Sequence, residues 1–198
     1  MKARLLTAMA ALMACMLQGL ALPQPCAMAA QQRARVQDLA AQGLVLPPFE
    51  WGTLEPRRYD VALGAELQYF TLEVAAAYGV GGHYELVLAL MFRESSFRPW
   101  LVSRTDDWGL MQINAVNHER YRRDLGITDF LCPYQSILAG IHHFAPLLLS
   151  TQCVHHALMC YNLGAGRANR MWREGTRSTA GSRRVVETWE LLLETGGI

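Results

Sequence analysis

Apolar residues recur at helical spacing from about Asp60 onward. Leu63, Leu67, Phe70 and Val74 place one face of a first helix inward, with Glu66 and Glu73 elsewhere, and Gly79, Gly81 and Gly82 stop it. The next segment, Tyr84 to Phe92, is almost uniformly apolar, which predicts a central helix buried on nearly all sides. Further helical patterns cover roughly 116–124, 134–149, 154–161, 166–174 and 182–195, separated by turn-prone stretches such as Gly164-Ala165-Gly166 and Ser178 to Gly181. The short apolar run Leu110–Ile113 finds no alternating partner, so no sheet is expected. The predicted class is mainly α, without an internal repeat.

The first 59 residues read differently. Lys2 and Arg4 precede an apolar run from Leu5 to Leu22, and Ala27-Met28-Ala29 is a small-x-small site before Ala30, so residues 1–29 are expected to be a signal peptide. Gln18, Gly19, Pro23 and Pro25 weigh against an anchoring helix. Leu12-Met13-Ala14-Cys15 is a rough lipidation site in which Met13 fits poorly. Residues 30–59, with Pro47-Pro48 and Pro56, read as an extended lead-in holding a short helix near 33–42, and residues 60–198 as the compact domain.

Composition narrows the function. Hydrophobic residues make up 52% of the 198 and charged residues 18%, with 18 Lys+Arg against 17 Asp+Glu. That is too apolar for disorder and too balanced to hold nucleic acid by bulk charge. Loss of residues 1–29 would turn the formal charge from +1 to −1 and leave Cys132, Cys153 and Cys160. An odd count permits at most one internal disulfide, and Cys153 and Cys160 on one helix would stand roughly 10 Å apart, beyond bonding reach. Function must therefore come from a local site.

Glu94 is the most informative residue. It closes the buried helix in the run Arg93-Glu94-Ser95-Ser96-Phe97, where the negative end of the helix dipole and the apolar neighbours both favour the neutral acid. A carboxyl group kept protonated near neutral pH is what a general acid needs to protonate the leaving oxygen of a glycosidic bond. Most glycosidases pair such an acid with a second carboxylate about 5–10 Å away, and none in an equally apolar setting is evident.

The run Glu94-Ser95-Ser96-Phe97 with Pro99 and Ser103, then Gly109-Leu110-Met111-Gln112-Ile113-Asn114, then Ala157-Leu158-Met159-Cys160-Tyr161-Asn162-Leu163-Gly164, resembles the motif set of the soluble lytic transglycosylase family. The likeness runs from about Leu67 to Trp172. It implies an α-helical lysozyme-like domain that cleaves the glycan strands of bacterial peptidoglycan between N-acetylmuramic acid and N-acetylglucosamine. Glu94 would be the single catalytic acid and base, and Ser103 would hydrogen-bond its carboxylate. Trp108, Gly109, Leu110, Met111, Gln112 and Asn114 would wall the groove, with the amides of Gln112 and Asn114 suited to N-acetyl groups. Tyr161 and Asn162 would lie by the reacting sugar, the Tyr161 hydroxyl orienting Glu94. The substrate's own N-acetyl group would supply the missing second group, and closure by the C6 hydroxyl would give a 1,6-anhydro end. The resemblance implies no cofactor and no metal, an exported monomer of the periplasm or cell envelope, and work in general wall remodelling or beside a secretion, conjugation or phage machine.

Departures from the family pattern remain. Ser182 stands where many relatives carry a tyrosine, and Cys132 replaces an aspartate that would cap the following helix, a place a disulfide from Cys132 could secure instead. His142-His143 and His155-His156 with Cys153 and Cys160 lack any standard zinc spacing. Two other readings stay open: a goose-type lysozyme, with Asp106 or Asp107 activating water, and a catalytically weak peptidoglycan-binding or assembly protein.

Overall fold

The computed structural model describes residues 25–42 and 50–198. Among these, eight α-helices and one minimal hairpin surround a single apolar core. The first helix, α1, runs Pro25–Ala41, longer than the short helix expected near 33–42. Ala29, Val36 and Leu39 are its buried face. The bond between Ala29 and Ala30, where cleavage is expected, falls inside α1, while residues 1–24, with Cys15, lie outside the described residues. No described helix is long and apolar enough to cross a membrane.

α1 is fastened by charge as well as by packing. Arg33 donates from Nε and Nη2 to Glu73 Oε2 at 3.0 and 2.6 Å, and the backbone N–H of Gly52 donates to Oε1 at 2.8 Å. Glu73 is fully buried, so its charge is tolerable only because both oxygens are satisfied. It belongs to α2, Ala65–Ala77, which ends at Gly79.

A 3₁₀ turn at Gly81–His83 leads into α3, Tyr84–Ser95. Every residue from Tyr84 to Met91 is buried, as the almost uniformly apolar run predicts, and the one charged member, Glu85, is paired with Arg57 and the Tyr59 hydroxyl. Five large aliphatic side chains, Leu86, Val87, Leu88, Leu90 and Met91, contribute roughly 1.5–3 kcal/mol each by leaving water. α3 stops abruptly: Ser96 and Phe97 both take positive φ, 51° and 59°, and the Ser96 N–H donates to the Phe92 carbonyl at 2.7 Å.

The chain then forms a hairpin that the sequence pattern does not reveal. β1, Asp107–Trp108, pairs antiparallel with β2, Ile113–Asn114, Asp107 opposite Asn114. Two-residue strands are too short to show alternation, which is why Leu110–Ile113 appears partnerless. The turn between them lies against α5, Pro133–Thr151. At Gly109, φ is 77° and a Cβ would stand 2.1 Å from the Phe130 carbonyl oxygen and 2.7 Å from Ser136 Oγ, while at Gly140 a Cβ would meet Met111 Cβ at 2.4 Å. Only glycine allows this approach.

α4, His118–Leu125, follows a second 3₁₀ turn at Ala115–Asn117. α5 begins with Pro133 in its first turn, and Gln135 Oε1 accepts from the N–H groups of Thr128 and Asp129 at 2.7 and 2.9 Å. Cys132 stands at its N-cap without a side-chain cap bond, and Cys132, Cys153 and Cys160 are all free thiols, so Gln135 rather than a disulfide ties the helix to the loop before it.

α6, Val154–Leu163, and α7, Ala165–Arg173, meet at Gly164. α8, Ala180–Thr195, packs along α3. Ser182 is buried in a capping box, its hydroxyl accepting from the Thr179 N–H at 2.9 Å, so it starts α8 rather than standing free for substrate.

Candidate active site

The hairpin, the 3₁₀ turn after it, α5 and the α6–α7 junction enclose a cleft of about 360 Å³. It is lined by Asp107, Gln112, Asn114, His143, Tyr161 and Asn162, with Ile113, Val116, Asn117 and Gly164 completing the wall. The second and third sequence blocks therefore meet in space. Tyr161 makes the join, its hydroxyl donating to the Met111 carbonyl at 2.6 Å rather than to Glu94 as expected from the sequence.

Glu94 stands half-buried at the end of α3, beside this cleft rather than among its lining residues. No described group donates a hydrogen bond to its carboxyl; burial, then the negative charge of Asp107, push its pKa from 4.5 up to about 7. Burial also raises the Tyr161 hydroxyl well above its ordinary value, with Glu94 the next cause. Both shifts place Glu94 electrically within reach of Asp107 and Tyr161.

Asp107 is the counterpart to Glu94. Burial would raise its carboxyl, but three hydrogen bonds outweigh that and hold it below its ordinary value. Ser103 Oγ donates to Oδ2 at 2.6 Å, Thr105 Oγ1 donates to Oδ2 at 2.5 Å, and Asn114 Nδ2 donates to Oδ1 at 2.8 Å. The Ser103 hydroxyl thus serves Asp107 and not Glu94, correcting the sequence expectation. The missed signal is the alternation Ser103, Thr105, Asp107, in which two hydroxyls precede a carboxylate on one side of a turn.

The remaining expected site residues divide between surface and support. Leu110 and Met111 are fully buried, so they back the wall through the core. Gln112, at φ 46°, spends its amide N–H groups on the carbonyls of Leu101 and Gly109 at 3.1 and 2.9 Å, and Asn114 shares its own between Asp107 and the Thr105 carbonyl. Trp108 lies outside the cleft lining: its Nε1 donates to Asp106 at 2.8 Å and its ring meets His118 edge-on. Trp100 is 70% exposed.

His143 lines the cleft although its sequence context offers no hint of it. Arg120 Nη2 donates to the Tyr121 hydroxyl at 2.8 Å, and that hydroxyl meets His143 Nδ1 at 2.5 Å. With its oxygen accepting from Arg120, the hydroxyl is free to donate a hydrogen bond to Nδ1, an arrangement in which the neutral ring carries its proton on Nε2. Burial, then the Arg120 charge, lower His143 to about 4, so the ring is neutral. His142 bonds Tyr78 and His155 meets Ser182, both outside the cleft, and no group of three metal-ligating side chains occurs among the described residues.

Comparison with known families returns the Transglycosylase SLT domain, matched over residues 72–183. The chain belongs to that family. The match spans Glu94, the hairpin and Tyr161 together. The SLT domain is 31% identical over 93 residues to a membrane-bound lytic murein transglycosylase F from Desulfosudis oleivorans, covering 43% of this chain and 20% of that protein. Among solved structures, an inactive mutant of the lytic transglycosylase Slt from Pseudomonas aeruginosa matches with a TM-score of 0.47 and 24% identity, over 60% of this chain and 20% of that one. The chain thus spans about a fifth of the length of the relatives it matches. The SLT domain has the mainly α, lysozyme-like helical fold expected from its sequence.

Proposed function

We propose that this SLT domain is a peptidoglycan lytic transglycosylase in which Glu94 is the single general acid and base. The observation that carries the reading is the setting of Glu94: a carboxyl at a buried helix end, unsupported by any hydrogen-bond donor among the described residues and raised to about 7, beside a cleft rimmed with amides. Such an acid is at its midpoint near neutral pH, so it can both give a proton and take one back.

In this mechanism Glu94 protonates the glycosidic oxygen between N-acetylmuramic acid and N-acetylglucosamine. The C1–O bond breaks, and positive charge develops at the anomeric carbon. Glu94, now a carboxylate, takes the proton from the C6 hydroxyl as its oxygen bonds C1, and a 1,6-anhydro end forms without water. Asn162 and the amide groups of Gln112 and Asn114 line or edge the space for the glycan, and Tyr161 holds the wall at Met111. Export through residues 1–29 and residence in the periplasm or cell envelope belong to the same reading, since the substrate lies outside the inner membrane.

Mass spectrometry of fragments released from peptidoglycan by the purified protein tests this. Fragments lighter by one water than reducing-end products support the transglycosylase, and Glu94→Gln releases none. Reducing ends support the second reading, a goose-type hydrolase, which the presence of Asp107 in the cleft favours.

A further inference from the structure

An N-acetylated glycan carries acetamido groups whose carbonyl oxygens need a donor wherever a cleft takes them out of water. The hairpin amides do not supply one. Gln112 gives its N–H groups to the carbonyls of Leu101 and Gly109, and Asn114 gives its own to Asp107 and Thr105, so both spend their donors inside the protein. The Tyr161 hydroxyl is spent on Met111. His143 differs. Tyr121 is fully buried, and its hydroxyl, which accepts from Arg120 Nη2, meets no acceptor among the described residues other than His143 Nδ1 at 2.5 Å. A buried hydroxyl does not leave its hydrogen unpaired, so that hydrogen points at Nδ1 and the neutral ring carries its own on Nε2. Nε2 bonds no described group, yet it is not shut off from solvent, and His143 lines the cleft. The ring is held edge-on by Tyr161 and Tyr121, with centroids 5.2 and 6.2 Å away, which fixes the direction of the donor.

We infer that His143 is a substrate-binding residue whose Nε2–H donates to the carbonyl oxygen of an acetamido group on the glycan, with Tyr121 and Arg120 as the residues that position it. This rests on the reading that a glycan fills the cleft and deepens it by naming what is recognised. The rest of an acetamido group, an N–H and a methyl, finds matching surface in the same cleft. Gln112 lines it with no described donor on its Oε1, and Ile113 and Val116 line it with apolar side chains, Val116 being 86% exposed. Burial, then the Arg120 charge, lower the imidazole to about 4, so near neutral pH the ring is uncharged and the donor constant. A neutral donor also adds no positive charge beside an anomeric carbon that is itself becoming positive.

Binding of a pair of neutral sugars tests this without turnover: the β-1,4 trimer of N-acetylglucosamine, and cellotriose, which has hydroxyls where the first has acetamido groups. By titration calorimetry, His143→Phe should weaken the N-acetylated trimer at least about fivefold and leave cellotriose within about twofold. His143→Gln offers Tyr121 an acceptor and the cleft an N–H from one planar group, and should hold the trimer within about twofold of the parent, a rescue that mere packing of the ring would not give. In nitrogen-15 NMR of the parent, the Nε2–H signal should move when the trimer is added and stay when cellotriose is added. Equal weakening of both sugars by His143→Phe overturns the inference, as does a parent with no preference for the trimer over cellotriose. Should His143→Phe not fold, adding Tyr121→Phe removes the hydroxyl that it strands, and the double variant is read in the same way. Peptidoglycan digestion separates the two readings. A parent that releases no fragments yet keeps a His143-dependent preference for the trimer sinks the transglycosylase reading alone, whereas release of 1,6-anhydro fragments with trimer binding indifferent to His143→Phe sinks only the inference.

Discussion

The Tyr161 hydroxyl donates to the Met111 carbonyl at 2.6 Å, a bond that crosses fifty residues of sequence to tie α6 to the turn walling the cleft. Met111 is fully buried, so its carbonyl has no water to fall back on. Tyr161→Phe is expected to cost about 1 kcal/mol in urea unfolding and, by loosening the wall, to lower turnover about tenfold. An unchanged unfolding midpoint would show that the bond contributes nothing net.

Glu94 makes stability depend on pH with a definite sign. Its folded pKa, about 7, lies above the ordinary 4.5, so the native state binds the proton more tightly than the unfolded chain. That contribution is fully present below about 4.5 and is lost as pH rises through about 7. Glu94→Gln should flatten this stretch of the stability curve while abolishing turnover, and denaturant titrations of both proteins from pH 4 to 8 check it. In the parent, turnover should fall on the alkaline side of about 7 as the acid ionises.

Gly109 sits at φ 77° with the Phe130 carbonyl and Ser136 hydroxyl where a Cβ would go. Gly109→Ala combines backbone strain with overpacking, and we expect a loss of about 3 kcal/mol or outright failure to fold, read from thermal melts. Gly166→Ala, whose Cβ would meet nothing, is the matched control and should leave the melt unchanged.

Arg33 joins α1 to the body of the domain through the buried Glu73 carboxylate. Arg33→Met removes the partner but not the charge, leaving Glu73 only the Gly52 N–H. The expected cost is about 3 kcal/mol, and hydrogen exchange should show α1 opening before the rest. Equal protection of α1 in both proteins would refute this.

Tyr121→Phe tests the proton order at His143. In the parent, nitrogen-15 NMR should find the ring neutral with its proton on Nε2 across neutral pH, because Tyr121 donates to Nδ1. The variant should populate both tautomers. An Nδ1–H ring in the parent would contradict the relay from Arg120.

The helices were legible because their information is periodic. The almost uniformly apolar run from Tyr84 to Phe92 marks a buried helix, and a glutamate at its end is costly there, so α3 and Glu94 were readable together. The hairpin was not, since Asp107–Trp108 and Ile113–Asn114 are too short to carry a period and are held by side chains rather than by pattern. The same shortness hid the true partner of Ser103. His143 was unreadable for another reason: adjacent histidines look alike in sequence, and only the folded structure gives His142 to the Tyr78 hydroxyl and His143 to the Tyr121 hydroxyl, with His143 alone of the two lining the cleft.

The segment entering α2 and the segment leaving α8 run side by side. The Asp60 N–H donates to the Gly196 carbonyl at 2.7 Å, and the Ile198 N–H donates back to the Asp60 carbonyl at 3.3 Å. The two ends of the span 60–198 therefore meet at one point, with α1 packed on the body between them. A cut elsewhere in that span, rejoined there by a short linker, is expected to leave Glu94 and Asp107 where they are.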